Sequence, residues 1–186
     1  ECTQRKDKMR AVLHQAGLDG TFFRVVETPE EIVAAAAEHG YPLVLKPADA
    51  RGSLGVSVIR EPHEIGAAVA WFQKGAVGHQ MLVERFLDGI EWSVEAFSEE
   101  GEHRLVCITQ KFKEPGHCVE TGHCVPAVLD AETEQAIERF VLRALDALGV
   151  RNGPTHTEVI VTASGPCIVE THTRLAGDCI GELIKL

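Results

Sequence analysis

A chain of 186 residues fits one domain, or two small lobes sharing a cleft, and buries on the order of 70% of its unfolded surface without disulfides or a structural metal. Hydrophobic residues are 45% and charged residues 25% of the chain, as in an ordinary soluble enzyme; no apolar run approaches the ~20 residues of a membrane span and nothing resembles a signal peptide, so cytoplasm and no membrane partner are expected. A formal net charge of −10 opposes non-specific nucleic-acid binding but not nucleotide binding, because a few lysines in a cleft dominate the local field.

Along the chain, Met9, Val12, Leu13 and Ala16 recur at helical spacing and Gly17 stops the turn. Thr28-Pro29-Glu30-Glu31 supplies an N-cap, a proline at the first helical position and a capping-box glutamate for a helix ending at Gly40. Short apolar runs at Tyr41–Lys46 and Val56–Ile59 predict two strands around a glycine-bearing turn, and a helix follows Pro62. Strands are expected at Met81–Arg85, Trp92–Ser98 and Arg104–Phe112, the last two turned at Glu99-Glu100-Gly101. The longest helix runs from Asp130 to about Leu148, and strands at Thr157–Val161 and Cys167–Thr171 turn at Ser164-Gly165-Pro166. This order is α+β, not a regular βαβ alternation.

Three segments carry chemistry. In the hairpin from Leu43 to Val56, Gly52 and Gly55 let backbone N–H groups approach a polyphosphate, Ser53 adds a donor and Lys46 neutralises charge. It is neither a Walker A loop nor a GxGxxG turn. In the second segment, Glu84-Arg85-Phe86-Leu87 leaves a strand where backbone groups can meet the edge of an adenine, and Glu91 is suited to two ribose hydroxyls. In the third, Glu158 and Glu170 lie on paired strands, only ~5 Å apart at Cβ if directly opposed, and would repel without a cation between them. Magnesium suits two hard carboxylates plus phosphate oxygens, and Arg174 is placed to stabilise a transferring phosphoryl or acyl group.

Six cysteines without a CxxC pair read as reduced thiols. Gly116-His117-Cys118-Val119 recurs as Gly122-His123-Cys124-Val125; the spacing does not match zinc sites, and a mobile active-site loop is the expectation.

Taken in order, these segments resemble the ATP-grasp ligases from Lys8 to the C-terminus. The resemblance rests on lysines at Lys8 and Lys46, the hinge Glu84, Leu87 and ribose Glu91, the strand lysine Lys111, the metal glutamates Glu158 and Glu170, and Arg174 after them. It implies an ATP-grasp fold of two α+β lobes sandwiching the nucleotide: a leading helix over 1–17, a small lobe over 18–84 and a large lobe over 85–186. The family's N-terminal α/β domain and some C-terminal chain would be missing. Glu120-Thr121-Gly122-His123 and Pro126 resemble the loop of carboxylate–amine ligases related to L-amino-acid ligases and carnosine synthase. That branch implies an acyl phosphate attacked by an amine, small-molecule carboxylate and amine substrates of the amino-acid class, and a homodimer as an allowed assembly. It also implies Arg174 and Lys111 in catalysis and Gly177 in the acceptor pocket.

One departure concerns the metal. His172 stands where the family usually has Asn, which puts a second metal site in doubt or favours manganese over magnesium. The competing readings are a biotin-carboxylase-like subunit, which predicts a longer glycine loop, and a non-catalytic ATP-binding module.

Overall fold

The computed structural model describes residues 2–50, 52–76, 78, 80–113 and 120–185. Helix α1 (Lys6–Gln15) leads into strand β1 (Phe23–Val26), helix α2 (Pro29–His39), strands β2 (Leu43–Pro47) and β3 (Ser57–Ile59), helix α3 (Ile65–Gly75) and strand β4 (Met81–Arg85). Strands β5 (Ile90–Glu99), β6 (Glu102–Lys113) and β7 (Glu120–Cys124) follow, then helix α4 (Ala131–Ala147), strands β8 (Gly153–Thr162) and β9 (Gly165–His172), and a last turn α5 (Ile180–Leu183). No helix among the described residues is long and apolar enough to cross a membrane.

The helix signals act as their chemistry requires. Thr28 accepts from the Glu31 N–H while the Glu31 carboxylate reaches back, closing the capping box of α2. Asp130 accepts from the Thr133 N–H at 2.8 Å and starts α4, whose Ile137, Val141, Ala144 and Leu145 form its buried stripe.

Two antiparallel sheets result, ordered β1-β4-β2-β3 and β7-β6-β5-β8-β9. The smaller buries Leu43, Leu45, Ile59 and Val83 with Ile32 of α2 and Phe72 of α3. The larger buries Trp92, Val94, Ile108, Val159 and Ile168 against α4 and against Met9 and Leu13 of α1. Strand alternation sends the intervening residues of β5, β6, β8 and β9, many of them ionisable, to the opposite face. The α1 helix thus packs in the core of the larger sheet although it precedes the smaller one in sequence.

Two strands were not anticipated. Phe23–Val26 pairs with β4, and Glu120–Cys124 pairs with β6, so that part of the expected mobile loop is strand. The reason is non-local: each segment is short and completes the edge of a sheet whose other strands are built elsewhere in the chain. His117 and Cys118 lie outside the described residues. The thiols of Cys107, Cys124, Cys167 and Cys179 are free.

The β8–β9 register matters most. Glu158 is directly opposite Glu170, and the ladder then shifts so that Val159 faces Ile168. Val169 is the extra residue of this bulge. It lets the neighbours Val169 and Glu170 both turn towards the cleft while Ile168 still reaches the core.

Gly89 precedes β5 where the backbone crosses β8. A Cβ there would sit 2.1 Å from the Val161 carbonyl oxygen. Gly89→Ala is therefore expected to lose about 1–3 kcal/mol of stability by overpacking against backbone, read as a lowered urea midpoint at unchanged slope.

Candidate functional site

Between the two sheets lies an open cleft of about 360 Å³. Val44 and Val58 of the smaller sheet and Ile160 and Val169 of the larger give it apolar walls. Its rim on one side is the glycine hairpin, where Gly52 and Ser53 both have positive φ and line the opening. Its far side is the linker Arg85-Phe86-Leu87. The Arg85 and Phe86 N–H groups donate to the carbonyls of Phe22 and Pro42, at 3.0 and 3.2 Å, which fixes the linker against the smaller sheet.

The floor is ionic. Lys46 of β2 pairs with Glu84 of β4 at 2.6 Å, and Arg10 of α1 grips the same carboxylate through two bonds of 3.0 Å. Burial works against Glu84 ionising, but Arg10 and Lys46 outweigh it and hold its carboxyl at about 2. Burial is also the largest influence on Lys46 and lowers its ammonium below the usual lysine range, with Glu84 pulling back. On the larger sheet, the Lys111 Nζ lies 2.5 Å from Glu120, 2.6 Å from Glu158 and 3.2 Å from Glu91. Burial would lower Lys111, yet these carboxylates raise it above its ordinary value. Lys113 pairs with the other oxygen of Glu91.

Glu158 and Glu170 each have a cation and an imidazole beside them. Glu158 meets Lys111, and His156 Nε2 lies at 3.4 Å. Glu170 meets Lys6 at 2.8 Å and His172 Nε2 at 3.0 Å, the latter without hydrogen-bond alignment. Burial raises both carboxyls, but their neighbours hold them well below the carboxylate range. His156 also bonds Glu95 at 2.6 Å; burial would lower its imidazole, but Glu158 and Glu95 push it up to about 9.

Of the residues expected from sequence, the cleft brings together Lys46, Gly52, Ser53, Glu84, Arg85, Phe86, Leu87, Glu91, Lys111, Glu120, Glu158 and Glu170. Lys8 is not among them. It is exposed, and Lys6 lines the cleft in its place, with Nζ 2.6 Å from the Ala50 carbonyl. The helical period explains the correction: Lys6 and Arg10, four apart, share a face, while Lys8 points away. The i, i+4 spacing of those cations beside the Met9–Leu13 core stripe was the missed signal. Gly55 also leaves the lining; its positive φ of 71° makes the hairpin turn, and a Cβ there would sit 3.1 Å from the Cβ of Ala76, just past α3.

His172 lies behind Glu170, in a narrow recess shared with Lys6 and Met9. His123 stands back from the cleft, 3.1 Å from the second oxygen of Glu120. Arg174 and Gly177 follow the end of β9, where no strand partner directs them; the Arg174 guanidinium folds onto the Leu175 carbonyl at 2.7 Å and does not line the cleft. Arg10 and Lys113 are cleft residues that sequence reasoning did not single out.

Glu84 gives a pH signature. Its folded carboxyl sits at about 2 against an ordinary 4.5, so its contribution to stability is complete above 4.5 and is lost as pH falls towards 2. Glu84→Gln should cost about 3–5 kcal/mol near neutral pH, because Arg10 and Lys46 lose their shared counter-charge, and should flatten the acid limb of stability against pH in urea melts.

Comparison with known proteins agrees with this geometry. Residues 39–182 match the ATP-grasp domain family. The uncharacterized protein y4rH of Sinorhizobium fredii (strain NBRC 101917 / NGR234) is 35% identical over 97% of this chain and 38% of its own length. The alanine–anticapsin ligase of Bacillus subtilis (strain 168) is 29% identical over 95% of this chain and 42% of its own. The crystal structure of an L-amino acid ligase from Bacillus licheniformis superposes with a TM-score of 0.81 at 29% identity, over 97% of this chain and 43% of that one. The chain thus spans about two-fifths of the length of each of these three relatives. With a cleft between two antiparallel sheets and a family match over most of its length, this chain belongs to the ATP-grasp family.

Proposed function

We propose that this chain forms the nucleotide cleft of an ATP-dependent ligase that activates a carboxylate as an acyl phosphate for attack by an amine. The observation that carries the reading is the convergence of Lys6, Lys46 and Lys111 on the one cleft that holds the paired Glu158 and Glu170. The likeness to an alanine–anticapsin ligase and to an L-amino acid ligase supports amide formation between amino acids.

The apolar walls take the adenine, the linker from Arg85 to Leu87 offers backbone groups to its edge, and Glu91 receives the ribose hydroxyls. Lys46 and Lys111, with Gly52 and Ser53 of the hairpin, meet the phosphates. Glu158 and Glu170 would hold magnesium: their oxygens are hard, directly opposed across the strands and ionised. Bound there, magnesium would supply charge neutralisation. Manganese is accommodated if His172 joins them. A substrate carboxylate oxygen bonds the γ-phosphorus as the bond to the β–γ bridging oxygen breaks. The amine nitrogen then bonds the acyl carbon, loses a proton and expels phosphate. Glu120 and His123, with Asp178 close by, form an acidic corner beside the cleft suited to an amino-acid ammonium group. Arg174 reaches substrate only after leaving the Leu175 carbonyl.

ADP release from ATP in the full-length protein, dependent on an amino-acid pair, is the direct test. Turnover that requires bicarbonate instead would assign a carboxylase, and ATP binding without release by any carboxylate–amine pair would remove the ligase reading. Lys46→Met should weaken ATP binding by about tenfold or more while leaving adenosine within about twofold, measured by calorimetry. Glu170→Gln should reduce the magnesium-dependent part of ATP affinity by a similar factor; identical affinities with and without magnesium in both proteins would remove Glu170 from the metal site.

A further inference from the structure

We infer that Arg10 is a positioning residue for phosphate recognition, acting through Glu84 on Lys46 and tying that lysine to the strand that carries Glu170. The inference rests on the nucleotide reading of the cleft. Arg10 is completely buried on α1, and its guanidinium divides between two carboxylates. Nε and Nη2 hold both oxygens of Glu84, and Nη1 donates to Asp19 at 2.7 Å. Asp19 accepts in turn from the Thr21 N–H at 2.8 Å and from the Ile168 N–H at 3.3 Å. Ile168 lies on β9, two residues before Glu170. At the other end, Glu84 passes to Lys46 on β2. A continuous chain, Ile168 N–H to Asp19 to Arg10 to Glu84 to Lys46, therefore runs from one sheet to the other beneath the cleft.

Structural stability alone gives little reason for this arrangement. Buried ion pairs are expensive to desolvate, and apolar residues of similar volume commonly hold a core as well or better. The charge count supplies a reason. Without Arg10, Glu84 and Lys46 form an isolated buried pair, and the full negative charge of Glu84 holds the ammonium. With Arg10, one carboxylate is shared by two cations, and Asp19 balances the surplus away from the cleft. The positive potential of Lys46 is then left for an incoming anion. The planar fork of Arg10 fixes the carboxylate in the plane, and with it the end of the flexible lysine chain. Arg10 itself needs no contact with phosphate.

The test compares ATP with adenosine in the full-length protein by calorimetry, with thermal melts to verify folding. Arg10→Met should weaken ATP binding by about tenfold or more and adenosine by less than about twofold, since Glu84 then holds the Lys46 ammonium with its full charge and leaves less of it for phosphate. Arg10→Lys keeps the charge but cannot grip both carboxylates with one fork, and an intermediate loss for ATP alone is expected. Adding Glu84→Gln to Arg10→Met releases Lys46 from its isolated pair and should recover part of the ATP affinity lost by Arg10→Met. Equal losses for ATP and adenosine, no recovery in the double variant, or no loss in a folded Arg10→Met protein would each overturn the assignment. Unfolding of every member of the set would give the chain a stabilising role alone and overturn it as well. Failure of the unsubstituted protein to bind ATP would instead remove the nucleotide reading itself.

Discussion

Glu84 is a fully ionised carboxylate with almost no access to water, and the arrangement of the cleft follows from how that charge is met. Arg10 and Lys46 neutralise it from two different elements, and Asp19 carries the balance back to the larger sheet. Each of these charges is costly to bury alone and tolerable only in company. Helix α1 and strands β4, β2 and β9 are therefore linked by a chain of charges as well as by apolar packing. The two hydrophobic cores lie to either side and share none of their buried residues.

The same rule governs the upper part of the cleft. Lys111 sits among Glu91, Glu120 and Glu158, and Lys6 beside Glu170, so ammonium groups stand next to the carboxylates that would receive a metal. On the proposed reading, a magnesium nucleotide would bring both a cation for the carboxylates and anions for the lysines. Binding is then an exchange of partners rather than the filling of an uncompensated pocket. The net charge of −10 does not set the field in the cleft, which belongs to a few placed cations.

Geometry at β8 and β9 depends on one bulge. Direct opposition of Glu158 and Glu170 is an outcome of hairpin register, and the slip after Glu158 turns two consecutive residues of β9 to the same side. Unshifted alternation from Glu170 would turn Val169 to the core and Ile168 to the cleft, exchanging the two. At the end of β9 this control stops. Arg174 and Gly177 lie beyond the ladder, and the Arg174 guanidinium donates to the carbonyl of the next residue, Leu175.

Sequence alone determined the elements whose information is local. The capping box at Thr28, the Asp130 cap, the apolar stripe of α4 and the turn at Glu99–Gly101 each need only a few neighbouring residues, and most of the acids and bases singled out on β2, β4, β6, β8 and β9 line the one cleft. The tertiary structure decided what depends on partners distant in the chain. The edge strands β1 and β7 form because another strand offers them hydrogen bonds, Lys6 replaces Lys8 because α1 docks its Met9–Leu13 face on the larger sheet, and Arg10 becomes a cleft residue because Asp19 and Glu84 close around it. Residue type and spacing record what a side chain can do. Which face it presents, and to which counter-charge, is fixed only when the two sheets and α1 come together.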